Sequence, residues 1–404
     1  MSGHGTYDLA VIGTGIVGAT AVGLAALRHP DASVVAVCAG AVHDGSTVRS
    51  LAVDIPAGRT GEQRALARRS LELRAELAAL APALNAEVRR AYWVVPAGGA
   101  AGVDGQLVGD ALAPCRSEQE AQLRAVFGGP VGGAGTELRR SAEATFSEPT
   151  EAVEQLLRPL TSGGPADGSP VAGSLTARPL TAGSLTARPL TAGPLTAGPL
   201  TAGSRVDGPR RDLVEGFAVR AVEPCADGYR LIAEDGGELT ARRVLAAPGA
   251  AALADPFAAT AKRLGARTKK VVAYRLRGGE PGGHRPLLVL DEPDAFLLPV
   301  GEGRDWYYSI TSTDWDCPPE RTRLAPNPAD RALAEAVLAE QLPSFRPEFI
   351  GCRTGADLYL PDFAPLITPL DGLDGVVLAT GGAGSGFRLA PAMAEGALAL
   401  LGLD

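Results

Sequence analysis

The stretch Tyr7–Leu27, YDLAVIGTGIVGATAVGLAAL, decides how the chain is read. Leu9 to Ile12 is a short apolar run of the kind that forms a buried parallel strand. Gly13-Thr14-Gly15-Ile16-Val17-Gly18 follows at once, and an Ala-rich helical pattern continues to Leu27. Strand, G-x-G-x-x-G and helix in this order are the context of a dinucleotide-binding turn. Gly13 permits the tight turn, Gly15 lets the backbone approach a diphosphate, and Gly18 lets helix and strand pack closely. The anion then sits at the helix N-terminus, where unpaired N–H groups and the helix dipole favour negative charge. A membrane span or a signal peptide is the rival reading of this uncharged run. Its density of glycine and the absence of a basic flank favour the turn. A glycine-rich turn that binds nothing is the other rival.

The composition sets broad limits. With 404 residues the chain can bury a large core. Hydrophobic residues make up 46% and charged residues 21%, which is ordinary for a globular protein. A formal charge of −8 argues against nucleic acid as a partner, and no membrane partner is expected. The positive charge is nearly all arginine, Lys262, Lys269 and Lys270 being the only lysines. The five cysteines are scattered without a C-x-x-C, and the four histidines are equally dispersed. No metal site or disulfide framework is expected, and the cytoplasm is the expected compartment.

Further along, Ser33 to Val37 reads as the second parallel strand. The acid that usually ends this strand and bonds the ribose is missing; Cys38-Ala39 stands there. Gly61 to Leu84 reads as one long helix, Gly98 to Leu112 as a loop or hairpin, and Ser117 to Phe127 as a helix with Ser117 as N-cap. From Ser174 to Gly203 a five-residue unit repeats, as in SLTAR and PLTAG. Its prolines and its single leucine per unit cannot build a core, so Gly163 to Gly208 is expected to be a disordered surface insert. Phe217 to Val222, Gly228 to Glu234 and Glu238 to Ala246 read as a three-stranded meander. A last buried strand, Val376 to Thr380, runs into Gly381-Gly382-Ala383-Gly384-Ser385-Gly386-Phe387-Arg388, followed by a closing helix from Pro391 to Leu401.

This second strand–glycine loop–helix repeats the N-terminal arrangement at the far end of the chain. Together the two loops resemble the D-amino-acid-oxidase-type family of FAD-dependent oxidoreductases, in particular its glycine oxidase and sarcosine oxidase branch. The matching stretches are VIGTGIVGA (Val11–Ala19), GSTVRS (Gly45–Ser50), FSEPTEAVEQL (Phe146–Leu156), RRVLAAPGA (Arg242–Ala250), GCRTGADLYLPDFAPLI (Gly351–Ile367) and VVLATGGAGSGFRLAPAMAEGAL (Val376–Leu398). The resemblance implies an α/β fold, with a Rossmann-like FAD-binding domain and a discontinuous antiparallel-sheet substrate domain. Residues 1–88, 141–162, 209–256 and 350–404 would form the first, residues 89–140 and 257–349 the second, and 163–208 the insert. It implies non-covalent FAD. Gly13, Gly15, Ile16, Val17 and Gly18 would contact it from the front turn, and Ser46, Thr47 and Arg49 from the next loop. Val219 would meet the adenine. Gly249, Gly382, Gly384, Ser385, Gly386, Phe387, Arg388 and Leu389 would complete the site.

Oxidation of an amine by a flavin needs orientation and a suitably charged pocket more than acid–base groups. An amino-acid substrate needs a carboxylate clamp, and the forked guanidinium of arginine suits it. By the resemblance, Arg388 in GSGFR and Arg353 in GCRTGADLYLPD stand where the family holds substrate carboxylate, and Arg49 stands beside the flavin ring. Bracing of the flavin or a helix end is the alternative for Arg388, and a structural salt bridge that for Arg49. Thr354 replaces the proline of the family's G-x-R-P motif. Trp306 to Asp316, WYYSITSTDWD, lacks the oxygen-activating lysine of sarcosine oxidases. Trp93, Trp306, Tyr307 and Tyr308 are candidates for an aromatic pocket, with core packing as the alternative.

The function expected is hydride removal from the C–N bond of a small carboxylated amine, giving an imine, with O2 or an unknown group as electron acceptor. An NAD(P)-dependent dehydrogenase and a non-catalytic flavin-binding protein are the alternatives. The sequence leaves the substrate and the oligomeric state open.

Overall fold

The computed structural model describes residues 5–161, 209–280, 285–301, 303–318 and 324–403, so the repetitive insert 163–208 lies outside the described residues. From the N-terminus run β1 (Tyr7–Ile12), α1 (Ile16–Arg28), β2 (Val34–Val37), β3 (Val53–Asp54), α2 (Gly61–Leu77), β4 (Glu87–Pro96), α3 (Ala100–Asp104), β5 (Ala113–Pro114), α4 (Ser117–Phe127), β6 (Thr136–Phe146) and α5 (Pro149–Thr161). Next come β7 (Arg211–Val214), β8 (Val219–Cys225), β9 (Gly228–Ala233), β10 (Glu238–Ala246), α6 (Ala258–Arg263), β11 (Arg267–Arg277), β12 (Leu287–Leu290), β13 (Ala295–Val300) and β14 (Asp305–Trp315). The last elements are α7 (Pro328–Gln341), β15 (Glu348–Tyr359), β16 (Leu366–Leu370), β17 (Leu373–Thr380) and α8 (Gly386–Leu400).

The strands form two sheets. The first has the order β16-β17-β10-β1-β2-β7, with β9 and β8 added through β10. Its inner pairings, β17–β10, β10–β1, β1–β2 and β2–β7, are parallel. From Leu9 onward, successive residues of β1 face opposite layers. Leu9 and Val11 join the core beneath α1, α5 and α8, while Tyr7, Ala10 and Ile12 join the core on the meander side. Burial on both faces is why the strand is continuously apolar from Leu9 to Ile12 rather than alternating. The parallel strands β1 and β10 end level at Ile12 and Ala246. The front glycine turn and the Pro248-Gly249 turn therefore leave the same edge, where ligands of open α/β sheets bind. The fold is α/β, with a Rossmann-like first sheet and a second sheet that is mostly antiparallel.

That second sheet has the order β15-β11-β14-β13-β12-β4-β6-β3, with β5 on β6. Only β12–β4 is parallel among its pairings. The expected segment boundaries at 140/141 and 349/350 fall inside β6 and β15. Both strands keep pairing beyond those points, β6 to Phe146↔Glu87 and β15 to Tyr359↔Arg267. The short β3, expected in a segment of the first sheet, pairs with β6 as well.

Three helix limits differ from the sequence reading. The first long helix stops at Leu77, and a separate 3-10 turn spans Pro82–Asn85. Pro82 cannot donate a helical hydrogen bond, so the chain breaks before it. The N-cap of α4 is Arg116, not Ser117, because the Gln119 side chain accepts the Arg116 N–H at 2.9 Å. Helix α8 begins at Gly386 rather than Pro391, and Pro391 sits inside it. A proline at 391 leaves the Phe387 carbonyl without its helical donor. Arg74 supplies one, its Nη2 lying 3.2 Å from the Phe387 oxygen.

Candidate active site

The front turn is built by backbone contact. A Cβ on Gly13 would lie 2.3 Å from the Ala247 carbonyl oxygen, and one on Gly18 would lie 1.9 Å from the Gly13 carbonyl oxygen. No side chain fits at either position, so these glycines shape the turn. A Cβ on Gly15 would meet Thr47 Oγ1 at 3.1 Å, and this hydroxyl accepts the Ile16 N–H at 2.9 Å. Helix α1 has no acidic residue in its first turn, and its N-cap, Gly15, has no side chain to cap it. Its positive end is therefore available to an anion.

A cavity of about 640 Å³ is lined both by Gly15, Ile16 and Val17 and by Gly382, Gly384 and Ser385. The two glycine loops, from opposite ends of the chain, thus share one space. Ser46, Thr47, Arg49, Gly249, Gly386, Phe387 and Arg388 also line it. Gly13, Gly18, Val219 and Leu389 are not among its lining residues. Val219 opens β8, and Leu389 is buried against Ala67 and Met393. Bare backbone at Gly15, Gly382 and Gly384 and a helix end without an acidic residue fit an elongated, diphosphate-bearing cofactor.

The three candidate arginines have different surroundings. Arg388 Nη1 donates to the Ile55 and Ala57 carbonyls at 2.8 and 2.9 Å, and its Nη2 donates to Ser385 Oγ at 2.9 Å. Burial holds its pKa below the usual value, and its fork is largely engaged by the protein itself. The Arg353 guanidinium lies over the Tyr307 ring, 4.7 Å from its centroid, and it has no ion-pair partner among the described residues. Arg49 passes over Gly355, where an added Cβ would stand 3.5 Å from Arg49 Cδ. It too lacks an ion pair among the described residues.

Strand β15 connects the parts. Ser46 Oγ donates to the Ala356 carbonyl at 2.8 Å. On the next residue, Asp357 Oδ2 accepts the Gly384 N–H at 2.7 Å and Oδ1 accepts the Leu358 N–H at 2.8 Å. The Leu358 carbonyl accepts the Ala383 N–H at 3.2 Å. Burial raises the Asp357 carboxyl above the ordinary range. The residue was not singled out from the sequence, although it lies within the motif that carries Arg353.

Lys269 was missed as well. It lines the cavity from β11, the strand next to β14, with Nζ 5.2 Å from the Trp315 centroid and 5.6 Å from that of Tyr359. Burial lowers its pKa. Of the four aromatic candidates, Trp93 lines the cavity, whereas Trp306 and Tyr308 are wholly buried in the core of the second sheet. Tyr307 is buried beneath Arg353. Among the described residues no cysteine lines the cavity, and no group of His, Cys, Asp and Glu could hold a metal. The cysteines form no disulfide, and no described helix is long and apolar enough to cross a membrane.

Residues 211–400 match the family model described as DAO, FAD dependent oxidoreductase. No curated protein sequence matches the chain. Among solved structures, L-proline dehydrogenase from P. horikoshii is similar with a TM-score of 0.69 at 15% identity, over 98% of this chain and 93% of that one. Glycine oxidase from Geobacillus kaustophilus gives 0.66 at 14% identity, over 99% and 95%. Fructosamine oxidase from Aspergillus fumigatus gives 0.67 at 14% identity, over 99% and 87%. At these identities the structures speak for the fold; the matched family model, which spans just under half of the chain, is one of FAD-dependent oxidoreductases.

Proposed function

We propose that this protein is an FAD-dependent oxidoreductase of the DAO type and that it removes a hydride from the C–N bond of an amino acid or related carboxylated amine. FAD, when bound, supplies the hydride acceptor. The observation that carries the reading is the single cavity lined by Gly15, Gly384 and Arg353 together. In this reading the end of α1, with Ser46 and Thr47, holds the diphosphate and ribityl chain. The loop Gly382–Arg388 borders the ring.

Arg353 receives the substrate carboxylate. Among the described residues its guanidinium has no ion-pair partner, and the Tyr307 ring beneath fixes its plane. Of the two roles expected for Arg388, its bonds to Ile55, Ala57 and Ser385 favour the brace of the ring-side loop over the clamp. Arg49, which lines the same cavity beside Gly355, is a further cation available to either ligand. Trp93 and Phe296, both on the cavity wall, exclude water from the bond that is broken. The imine product hydrolyses in water. The scattered cysteines, which form no disulfide, suit a reducing cytoplasm.

The test is anaerobic. The yellow holoprotein is mixed with a panel of amino acids and secondary amines, and loss of the flavin absorption is followed. Bleaching by a carboxylated amine, but not by its decarboxylated analogue, supports the reading. Recovery of colour on admitting air identifies O2 as an acceptor. A panel without any bleaching overturns the proposed substrate class.

A further inference from the structure

The alternation of a β-strand puts Arg353, Gly355 and Asp357 on one face of β15. Arg353 and Asp357 both line the cavity. Asp357 carries no cation of its own among the described residues. Its cross-strand neighbour is Lys269, whose ammonium is turned to the Trp315 and Tyr359 rings instead. The carboxylate is held by two backbone N–H groups, those of Leu358 and Gly384. Gly384 belongs to the loop that leads into the N-terminus of α8, and that helix has no acidic residue in its first turn. An uncapped helix end presents partial positive charge to whatever lies beyond it. Burial raises the Asp357 carboxyl and the Gly384 and Leu358 N–H groups oppose that rise, so above its folded pKa the ionised Asp357 sets a negative charge against that end while engaging one of the loop's donors.

We propose that Asp357 is a positioning residue that clips the Gly384 loop in place and, through its charge, keeps the reduction potential of the bound FAD low. The inference rests on the reading that FAD fills this cavity with its ring beside Gly382–Arg388. Bound FAD, if reduced by two electrons with one proton, would carry one additional negative charge on its ring. A carboxylate in the adjoining wall opposes that charge, and in a partly desolvated site it is weakly screened.

The experiment uses the purified holoprotein at mildly alkaline pH. Its FAD is reduced with dithionite in equilibrium with a reference dye. Asp357→Asn keeps an oxygen that can accept the Gly384 N–H and removes the charge. Asp357→Ser does the same with a smaller group, so a folding failure in one variant leaves the other. Both are expected to retain FAD and to move the equilibrium about tenfold toward reduced flavin, which is roughly 30 mV for a two-electron couple. Asp357→Glu, with the charge restored, is expected to return to the wild-type potential. A wild-type potential in both uncharged variants, or a shift in the opposite direction, overturns the proposal. Failure of the underlying reading looks different: the wild-type protein itself would carry no flavin bands and take up no FAD.

Discussion

The Ser46 hydroxyl donates to the Ala356 carbonyl at 2.8 Å, one residue before Asp357 grips Gly384. Ser46 is next to Thr47, which binds the first N–H of α1. A short stretch of β15 therefore ties the front turn to the rear loop, and the cavity they share is held by side chains as well as by the sheets.

The front turn should tolerate no side chain at its third glycine. In Gly18→Ala the new Cβ would stand 1.9 Å from the Gly13 carbonyl oxygen, so helix and strand must separate. A loss of about 3 kcal/mol or more is expected, at the upper end of overpacking costs. Denaturant titration of the apoprotein measures it, and FAD retention should fall in parallel. A wild-type midpoint would show that the turn relaxes.

Arg353 and Arg388 should part in their kinetic signatures. Arg353→Met is expected to keep FAD and stability while raising KM for the carboxylated substrate about ten- to hundredfold, the worth of a charge-assisted pair. Arg388→Met strands the Ile55 and Ala57 carbonyls and should destabilise the fold by about 3 kcal/mol, with weaker FAD binding. Steady-state kinetics beside thermal unfolding separates the two. The reverse pattern would make Arg388 the clamp.

Acid should weaken a buried cluster in the second sheet. Lys270 pairs with Asp330 at 2.6 Å and also with Asp314, while Ser312 Oγ donates to Asp330 at 2.9 Å. Burial pushes the Asp330 carboxyl up, but the Lys270 ammonium, the Asn327 pair and the Ser312 hydroxyl more than offset it, so its pKa ends below the usual value. A depressed carboxyl contributes stability that is fully present above its unfolded pKa of about 3.9 and is lost as pH falls through the folded value. Lys270→Met leaves Asp330 buried without its cation and should cost about 3–5 kcal/mol at neutral pH. It should also shrink the acid-dependent part of the stability. Urea midpoints across the acidic range, in both proteins, check the sign.

The flavin should come free on denaturation. Cys352 is exposed on β15, and no cysteine is among the cavity-lining residues. Acid precipitation is expected to leave all of the yellow colour in the supernatant. Flavin fluorescence that stays with the polypeptide on a denaturing gel would identify a covalent bond and refute the non-covalent assignment.

What could be read directly was local. Gly13, Gly15 and Gly18 act within one strand–turn–helix unit, so their spacing alone prescribes close backbone approach, and at Gly13 and Gly18 the backbone oxygens of Ala247 and Gly13 leave no room for a Cβ. The continuous apolar run of β1 likewise announces a strand buried on both faces. What the chain could not state locally was the fate of each charged group. Arg388 turns into the protein because the Ile55 and Ala57 carbonyls happen to lie within reach. Helix α8 can start before Pro391 because Arg74, from a distant helix, satisfies the Phe387 carbonyl. Asp357 and Lys269 reach the cavity because β11 and β15 pair in one particular register. A charged side chain is assigned by the partners that tertiary packing brings to it, whereas a glycine turn is assigned by its own backbone.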